Sequence, residues 1–174
     1  MTDPRRNVEL KAHDGDPARS LAVCRALGAE DRGVLEQRDT YFRARRGRLK
    51  LRDETPGTAH LVAYERADAA AARTSTYRIA GVTDAGATRA ALEATLGVTG
   101  EVRKTRRLLL WGGVRIHLDE VRGLGPFVEL EAVAGAESDL RREHALVSTL
   151  REHLAITDDR LCAGGYAALL GLEG

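Results

Sequence analysis

The chain has 174 residues, enough for one domain with its own core and short for two. Charged residues make up 30% of it, yet 27 Lys and Arg against 26 Asp and Glu leave a formal net charge of only +1. That balance argues against the large basic surplus of a general nucleic-acid or membrane binder, and suggests that the two signs are paired or gathered at a site.

The pattern begins with a strand over 6–12, where Val8 and Leu10 share one face and Asn7, Glu9 and Lys11 the other. Asp16-Pro17 reads as N-cap and first helical residue of a helix with an apolar stripe of Leu21, Cys24 and Leu27. Strands are predicted over 34–43, 48–54 and 59–67, separated by turns at Arg46-Gly47 and Thr55-Pro56-Gly57. A shorter strand over 74–79 leads to a helix starting near Asp84, with Ala91, Leu92 and Leu96 available for packing. The second half starts with a strand over 101–111, a two-residue Gly112-Gly113 hairpin turn and a returning strand from Val114 to Val121. Gly123 and Gly125 turn the chain into a last strand from Phe127 to Val133. Helical sequence from Ser138 to His153 and a closing helix near Leu161 to Leu170 end it. Strands and helices do not alternate strictly, so an antiparallel α+β domain spanning residues 1–174 is expected rather than a parallel sheet.

Alternate residues of a strand point the same way, so each strand can be read for what shares a face. Lys50 and Arg52 lie together, opposed by Leu49 and Leu51. Lys104 and Arg106 are two apart, as are Arg115, His117 and Asp119, with Val114, Ile116 and Leu118 on the reverse. Glu129 and Glu131 alternate with Val128 and Leu130. One such strand would be an ordinary amphipathic strand with its polar face in water. A whole set of almost wholly ionisable faces is different, because the amphipathic helices need an apolar sheet surface to cover. Helices outside turn the charged faces inward, around the wet interior that a closed barrel allows. Charges held there must be paired, hydrated or matched by a ligand.

Clustered Lys and Arg suit a polyanion with tetrahedral oxygens. Carboxylates in the same cavity would repel it unless divalent cations bridged them, and Glu9, Asp119, Glu129 and Glu131 are hard oxygen donors suited to Mg²⁺ or Mn²⁺. The combination describes phosphoryl chemistry. No GxxxxGK[ST] loop, HExxH, GxSxG or Cys–His pairing offers another scheme. The basic run from Arg43 to Arg48 reads as a solvated turn. Cys24 and Cys162 lack ligand spacing and are expected to be buried thiols. Met1 to Arg6 has no apolar signal region and no run approaches about 18 apolar residues, so a cytoplasmic location is expected.

The ordered set of motifs resembles the CYTH superfamily, the triphosphate tunnel enzymes that include class IV adenylate cyclases and thiamine triphosphatase. Asn7-x-Glu9-x-Lys11 is similar to the ExExK signature. Gln37-x-Asp39-Thr40-Tyr41-Phe42 followed by Lys50-x-Arg52 resembles the next strands of the cyclase-like branch. Lys104-x-Arg106, Arg115-Ile116-His117-Leu118-Asp119 and Gly123-Leu124-Gly125-x-Phe127-x-Glu129-x-Glu131 follow in order, so the resemblance runs from residue 6 to Leu170. It implies an antiparallel eight-stranded tunnel flanked by helices, acting on a small-molecule triphosphate. Carried over by position, Lys11, Lys50, Arg52, Lys104, Arg106 and Arg115 would hold phosphates, and Glu65 would face the tunnel. Glu9, Asp119, Glu129 and Glu131 would serve Mg²⁺ or Mn²⁺, and Lys11 and Arg52 are the catalytic candidates, Lys11 as a base whose pKa other cations would lower. Asn7 departs from the signature glutamate and should weaken one metal position. Cyclisation of ATP to cyclic AMP and pyrophosphate, or hydrolysis of a triphosphate, would use the same grip. A non-catalytic nucleotide- or polyphosphate-binding module and an enzyme of organic diphosphate esters are the alternatives. Neither nucleic acid nor membrane is an expected partner, and a homodimer is compatible with this reading.

Overall fold

The computed structural model describes residues 5–66 and 69–172. Eight strands close into one antiparallel barrel: β1 (Arg5–His13), β2 (Glu30–Phe42), β3 (Arg48–Thr55), β4 (Ala59–Arg66), β5 (Arg73–Val82), β6 (Val98–Trp111), β7 (Val114–Val121) and β8 (Gly125–Val133). Their order around the barrel is β1-β5-β4-β3-β2-β6-β7-β8, with β8 returning to β1. Four helices flank it: α1 (Pro17–Ala26), α2 (Ala85–Leu96), α3 (Arg141–His153) and the single turn α4 (Tyr166–Leu169). The expected α+β class and the eight-stranded tunnel are therefore both present. No helix among the described residues is long and apolar enough to cross a membrane.

Local chemistry explains most boundaries. Asp16 caps α1 by accepting a hydrogen bond from the Arg19 amide at 3.0 Å, with Pro17 fixing the first helical φ. Asp84 caps α2 in the same way, accepting from the Ala87 amide at 2.8 Å. Gly112 and Gly113 both have positive φ, the backbone that a two-residue hairpin between right-twisted strands demands. The outward apolar residues of β1, β6, β7 and β8, among them Leu10, Leu109, Ile116 and Leu130, form the main core beneath α1 and α3. Cys24 and Cys162 are buried free thiols.

Several boundaries moved. β2 begins at Glu30 and β5 extends to Val82, because pairing with neighbouring strands prolongs segments that show weak alternation by themselves. Residue 67 of the expected fourth strand lies outside the described residues. The helix expected from Ser138 starts at Arg141; the Ser138 hydroxyl instead donates to Glu143 at 2.7 Å and accepts from the Leu140 amide at 3.0 Å. α2 buries none of its residues, so Ala91, Leu92 and Leu96 pack only slightly. The closing helix is shorter still. Leu161 bridges Ala12, the Cys162 amide donates to the Lys11 carbonyl at 2.9 Å, and only Tyr166–Leu169 is helical. That extended stretch carries α4 across one end of the barrel.

Candidate active site in the barrel tunnel

The strand register and the tilt that closure imposes sort the inward side chains into levels. At one end Tyr41, Val102, Val121 and Phe127 meet Cys162, Tyr166 and Ala167 from the C-terminal segment, and this apolar cluster forms a floor. Above it lie Asp39, Lys50, Lys104, Asp119, Glu129 and Glu9, then Arg52, Arg106, His117, Glu131 and Asn7. Arg115, Glu54 and His60 stand at the opposite mouth. The cavity between floor and mouth measures about 420 Å³.

Of the residues named from sequence, Glu9, Lys11, Lys50, Arg52, Lys104, Arg106, Arg115, Glu129 and Glu131 line this one cavity, and Asn7 joins them. Two do not. Glu65, expected to face the tunnel, is exposed beside Arg46, Gly47 and Arg48. The inward residues of β4 are His60, Val62 and Tyr64, and alternation turns Glu65 outward. Asp119, expected at a metal, is sealed beneath the cavity. Its oxygens take two bonds from Arg106, both 2.6 Å, and one from the Tyr166 hydroxyl at 2.8 Å. It stands outside the cavity lining and orients Arg106 by holding its fork.

The wall formed by β2, β3 and β6 is organised by Asp39, which is 1% exposed. Arg52 grips it through two bonds of 2.6 Å, Lys50 donates to it at 2.9 Å, and Lys104 stands 3.7 Å away. Burial alone would raise the Asp39 pKa, but Arg52, Lys50 and Lys104 outweigh it and hold the carboxyl well below its usual range. The lysines respond in the opposite sense. Burial, then Arg52, brings Lys50 down to about 8 despite Asp39. Burial, then Arg106 and Arg52, holds Lys104 well below an ordinary lysine. Asp39 thus serves Lys50 and Arg52, and shares Lys104 with Asp119, which lies 3.9 Å from that lysine.

The wall formed by β1, β7 and β8 carries the carboxylates. Glu129 accepts from Lys11 at 2.8 Å and Arg106 at 2.9 Å, with His117 Nδ1 at 3.4 Å. Burial would raise Glu129, yet Lys11, His117 and Arg106 together drive it well below the usual range. Burial, then Arg106, lowers the His117 pKa. Glu131 accepts a short hydrogen bond from the Asn7 amide and lies 3.5 Å from Arg115. Glu9, directly across from Glu131 in the ladder, accepts from Arg73 at 3.1 Å. Lys11, expected as a base among cations, rests instead on the Glu129 carboxylate, its ammonium 3.7 Å above the Tyr166 ring.

A divalent ion can be tested against these donors. Glu9, Glu129 and Glu131 are hard oxygens on adjacent strands, and Asn7 Oδ1 is a buried oxygen with no hydrogen-bond partner. Among the described residues no three His, Cys, Asp or Glu converge as a ready cage. The set therefore fits Mg²⁺ or Mn²⁺ bound as Mg²⁺ habitually is, by one or two carboxylates together with phosphate oxygens and water.

Sequence reasoning assigned no role to Asp39, Arg73 or Tyr166. Asp39 was legible by alternation with Gln37 and Tyr41. Arg73 lay at the uncertain start of β5, and nothing in the sequence tied Tyr166 to the barrel floor.

The family model described as CYTH domain matches residues 5–160. No curated protein matches this sequence. Among solved structures, the PH1012 protein from Pyrococcus horikoshii OT3 is similar with a TM-score of 0.84 and 20% identity, over 94% of this chain and 98% of that one. A Vibrio parahaemolyticus protein proposed to be an adenylate cyclase gives 0.78 at 20% identity, over 95% and 97%. A Hippeastrum protein with a dominant triphosphatase activity gives 0.65 at 14% identity, over 97% and 94%. At these identities the likeness is one of fold.

Proposed function

The chain belongs to the CYTH domain family, and from that premise we propose that it is a divalent-metal-dependent triphosphatase acting inside the tunnel. The observation that carries this reading is the Asp39 wall, where Lys50, Arg52 and Lys104 gather around Asp39, with Asp119 as a second partner of Lys104, above an apolar floor. Such a wall has cationic donors to spare for a polyanion.

In this reading Lys50, Arg52, Lys104 and Arg106 grip the phosphates, with the terminal phosphate deepest, and Arg115 meets the chain at the mouth. Asp39 and Asp119 fix the arginine forks, so that little reorganisation is needed when charge develops. Mg²⁺ or Mn²⁺, held by Glu9, Glu129 and Glu131 with Asn7 Oδ1, would neutralise phosphate charge and favour departure of the leaving group. The oxygen of a water attacks the terminal phosphorus while its proton passes to an oxygen of that phosphate, with Lys104 donating to the same phosphate. The bond from that phosphorus to the bridging oxygen breaks, and its electron pair goes to the departing diphosphate, which Arg52 and Arg106 stabilise. Lys11 supports Glu129.

The test is incubation with ATP and with tripolyphosphate, each with Mg²⁺ or Mn²⁺, resolving orthophosphate, pyrophosphate and cyclic AMP. Orthophosphate release that depends on metal is expected. Cyclic AMP with pyrophosphate would replace hydrolysis by cyclisation, and binding without turnover would reduce the protein to a sensor.

A further inference from the structure

Beside Arg115, Glu54 and His60, the mouth of the tunnel carries aliphatic side chains that the deeper levels lack. On the inward faces of β2, β6 and β5, where deeper positions are largely polar or ionisable, the mouth level carries Leu35, Leu108 and Ile79, and Val62 of β4 lies just beneath. None of these four belongs to either hydrophobic core of the barrel. Ile79 is 38% exposed although its side chain lines the cavity. Folding does not require them there, since α1, α3 and the floor already cover the apolar faces. A tunnel for an inorganic chain would be served by polar side chains at these positions. Four aliphatic side chains above a phosphate grip are complementary to a molecule that carries carbon at the end away from its phosphates.

Resting on the triphosphate reading above, we infer that the substrate is an organic triphosphate whose substituent is apolar, hydrocarbon or aryl, and occupies the mouth against Leu35, Val62, Ile79 and Leu108. The phosphates then run inward and the terminal one arrives nearest the floor. Gln37 on β2 donates its amide N–H to Glu54 and keeps an unpartnered Oε1, the acceptor that a donor-bearing ring such as a nucleobase would use, so an ATP analogue belongs among the ligands tested.

Calorimetric titration with non-hydrolysable methylene-bridged analogues of tripolyphosphate, benzyl triphosphate and ATP, in the presence of Mg²⁺, tests this. Benzyl triphosphate carries less negative charge than tripolyphosphate, so electrostatics alone would favour the inorganic ligand. The expected result is the reverse, a Kd for the benzyl analogue lower by about tenfold or more, since apolar surface leaves water at the mouth. In the double variant Val62→Thr, Ile79→Thr the ratio of the two Kd values should fall below about threefold; threonine keeps the β-branched shape suited to a strand. Equal or tighter binding of tripolyphosphate by the unmodified protein overturns the inference while leaving the triphosphate reading intact. So does a ratio unchanged in the double variant. Tighter binding of the ATP analogue than the benzyl one replaces the apolar group by a nucleoside. Failure to bind any of the three removes the triphosphate reading and this inference together.

Discussion

The two walls of the tunnel use the same residue types to opposite ends. On the β2–β3–β6 wall Asp39 anchors Lys50, Arg52 and Lys104, so fixed cations outnumber their counter-charge. On the β1–β7–β8 wall Glu9, Glu129 and Glu131 meet Arg73, Lys11, Arg115 and His117 nearly one for one. Buried pairs cost desolvation whichever wall they occupy. The unbalanced wall recovers it when a polyanion arrives, and the balanced wall can exchange one ammonium or guanidinium partner for a metal ion. Net charge near zero therefore conceals a cavity polarised from side to side.

The comparison breaks most sharply at Asp39. Asp39→Asn leaves Lys50 and Arg52 without their anchor and Lys104 with Asp119 alone, and should cost about 3–5 kcal/mol in urea unfolding at pH 7. Because the Asp39 pKa is depressed by folding, its contribution is present at neutral pH and lost as pH falls below the ordinary aspartate range. The variant should accordingly show a shallower acid limb than the parent. Added tripolyphosphate should raise the Tm of the variant more than that of the parent; equal shifts would mean that the wall has no spare positive charge.

Arg52→Ala and Arg106→Ala should each lower kcat/KM by about 10²-fold or more, each removing a charge-assisted contact in a confined site. Unchanged kinetics in both would assign these arginines to structure alone.

On the opposite wall, Glu129→Gln should weaken Mn²⁺ binding, measured by calorimetry with a non-hydrolysable triphosphate present, by about tenfold, and metal-dependent turnover with it. An unchanged metal affinity would make Glu129 a salt-bridge partner only. Asn7→Glu should act in the other direction, tightening Mn²⁺ a few-fold or adding a second ion, since it restores about one unit of charge beside Glu131.

The smallest effect is the pH response. Lys50 is cationic below its pKa of about 8, and above it each further pH unit costs protonation before phosphates can be gripped. Tripolyphosphate affinity should hold from pH 6 to about 7.5 and then decline, by at most about tenfold per unit for each titrating lysine. Lys50→Arg should make the decline shallower, because guanidinium stays charged across this range. An identical slope would exclude Lys50 from the grip.

Period-two alternation of ionisable with apolar residues determined the strands, their inward faces and the polyanion character of the cavity, because a strand has only two sides and the helices needed the apolar one. Caps at Asp16 and Asp84 and the Gly112-Gly113 turn were equally local and equally legible. What the tertiary structure decided depends on neighbours that no single strand contains. Glu65 and the other outward residues differ from the tunnel set only by their parity relative to barrel closure. Asp119 carries the same carboxylate as Glu129, yet Arg106 and Tyr166 from distant segments bond to its oxygens and it does not line the cavity. Lys11 and Lys104 read alike in sequence, and are separated by what closure sets beside them: Glu129 for one, Arg52 and Arg106 for the other. Which acids bind, which bases titrate and which carbons line the mouth are properties of the level and wall a residue reaches when eight tilted strands close.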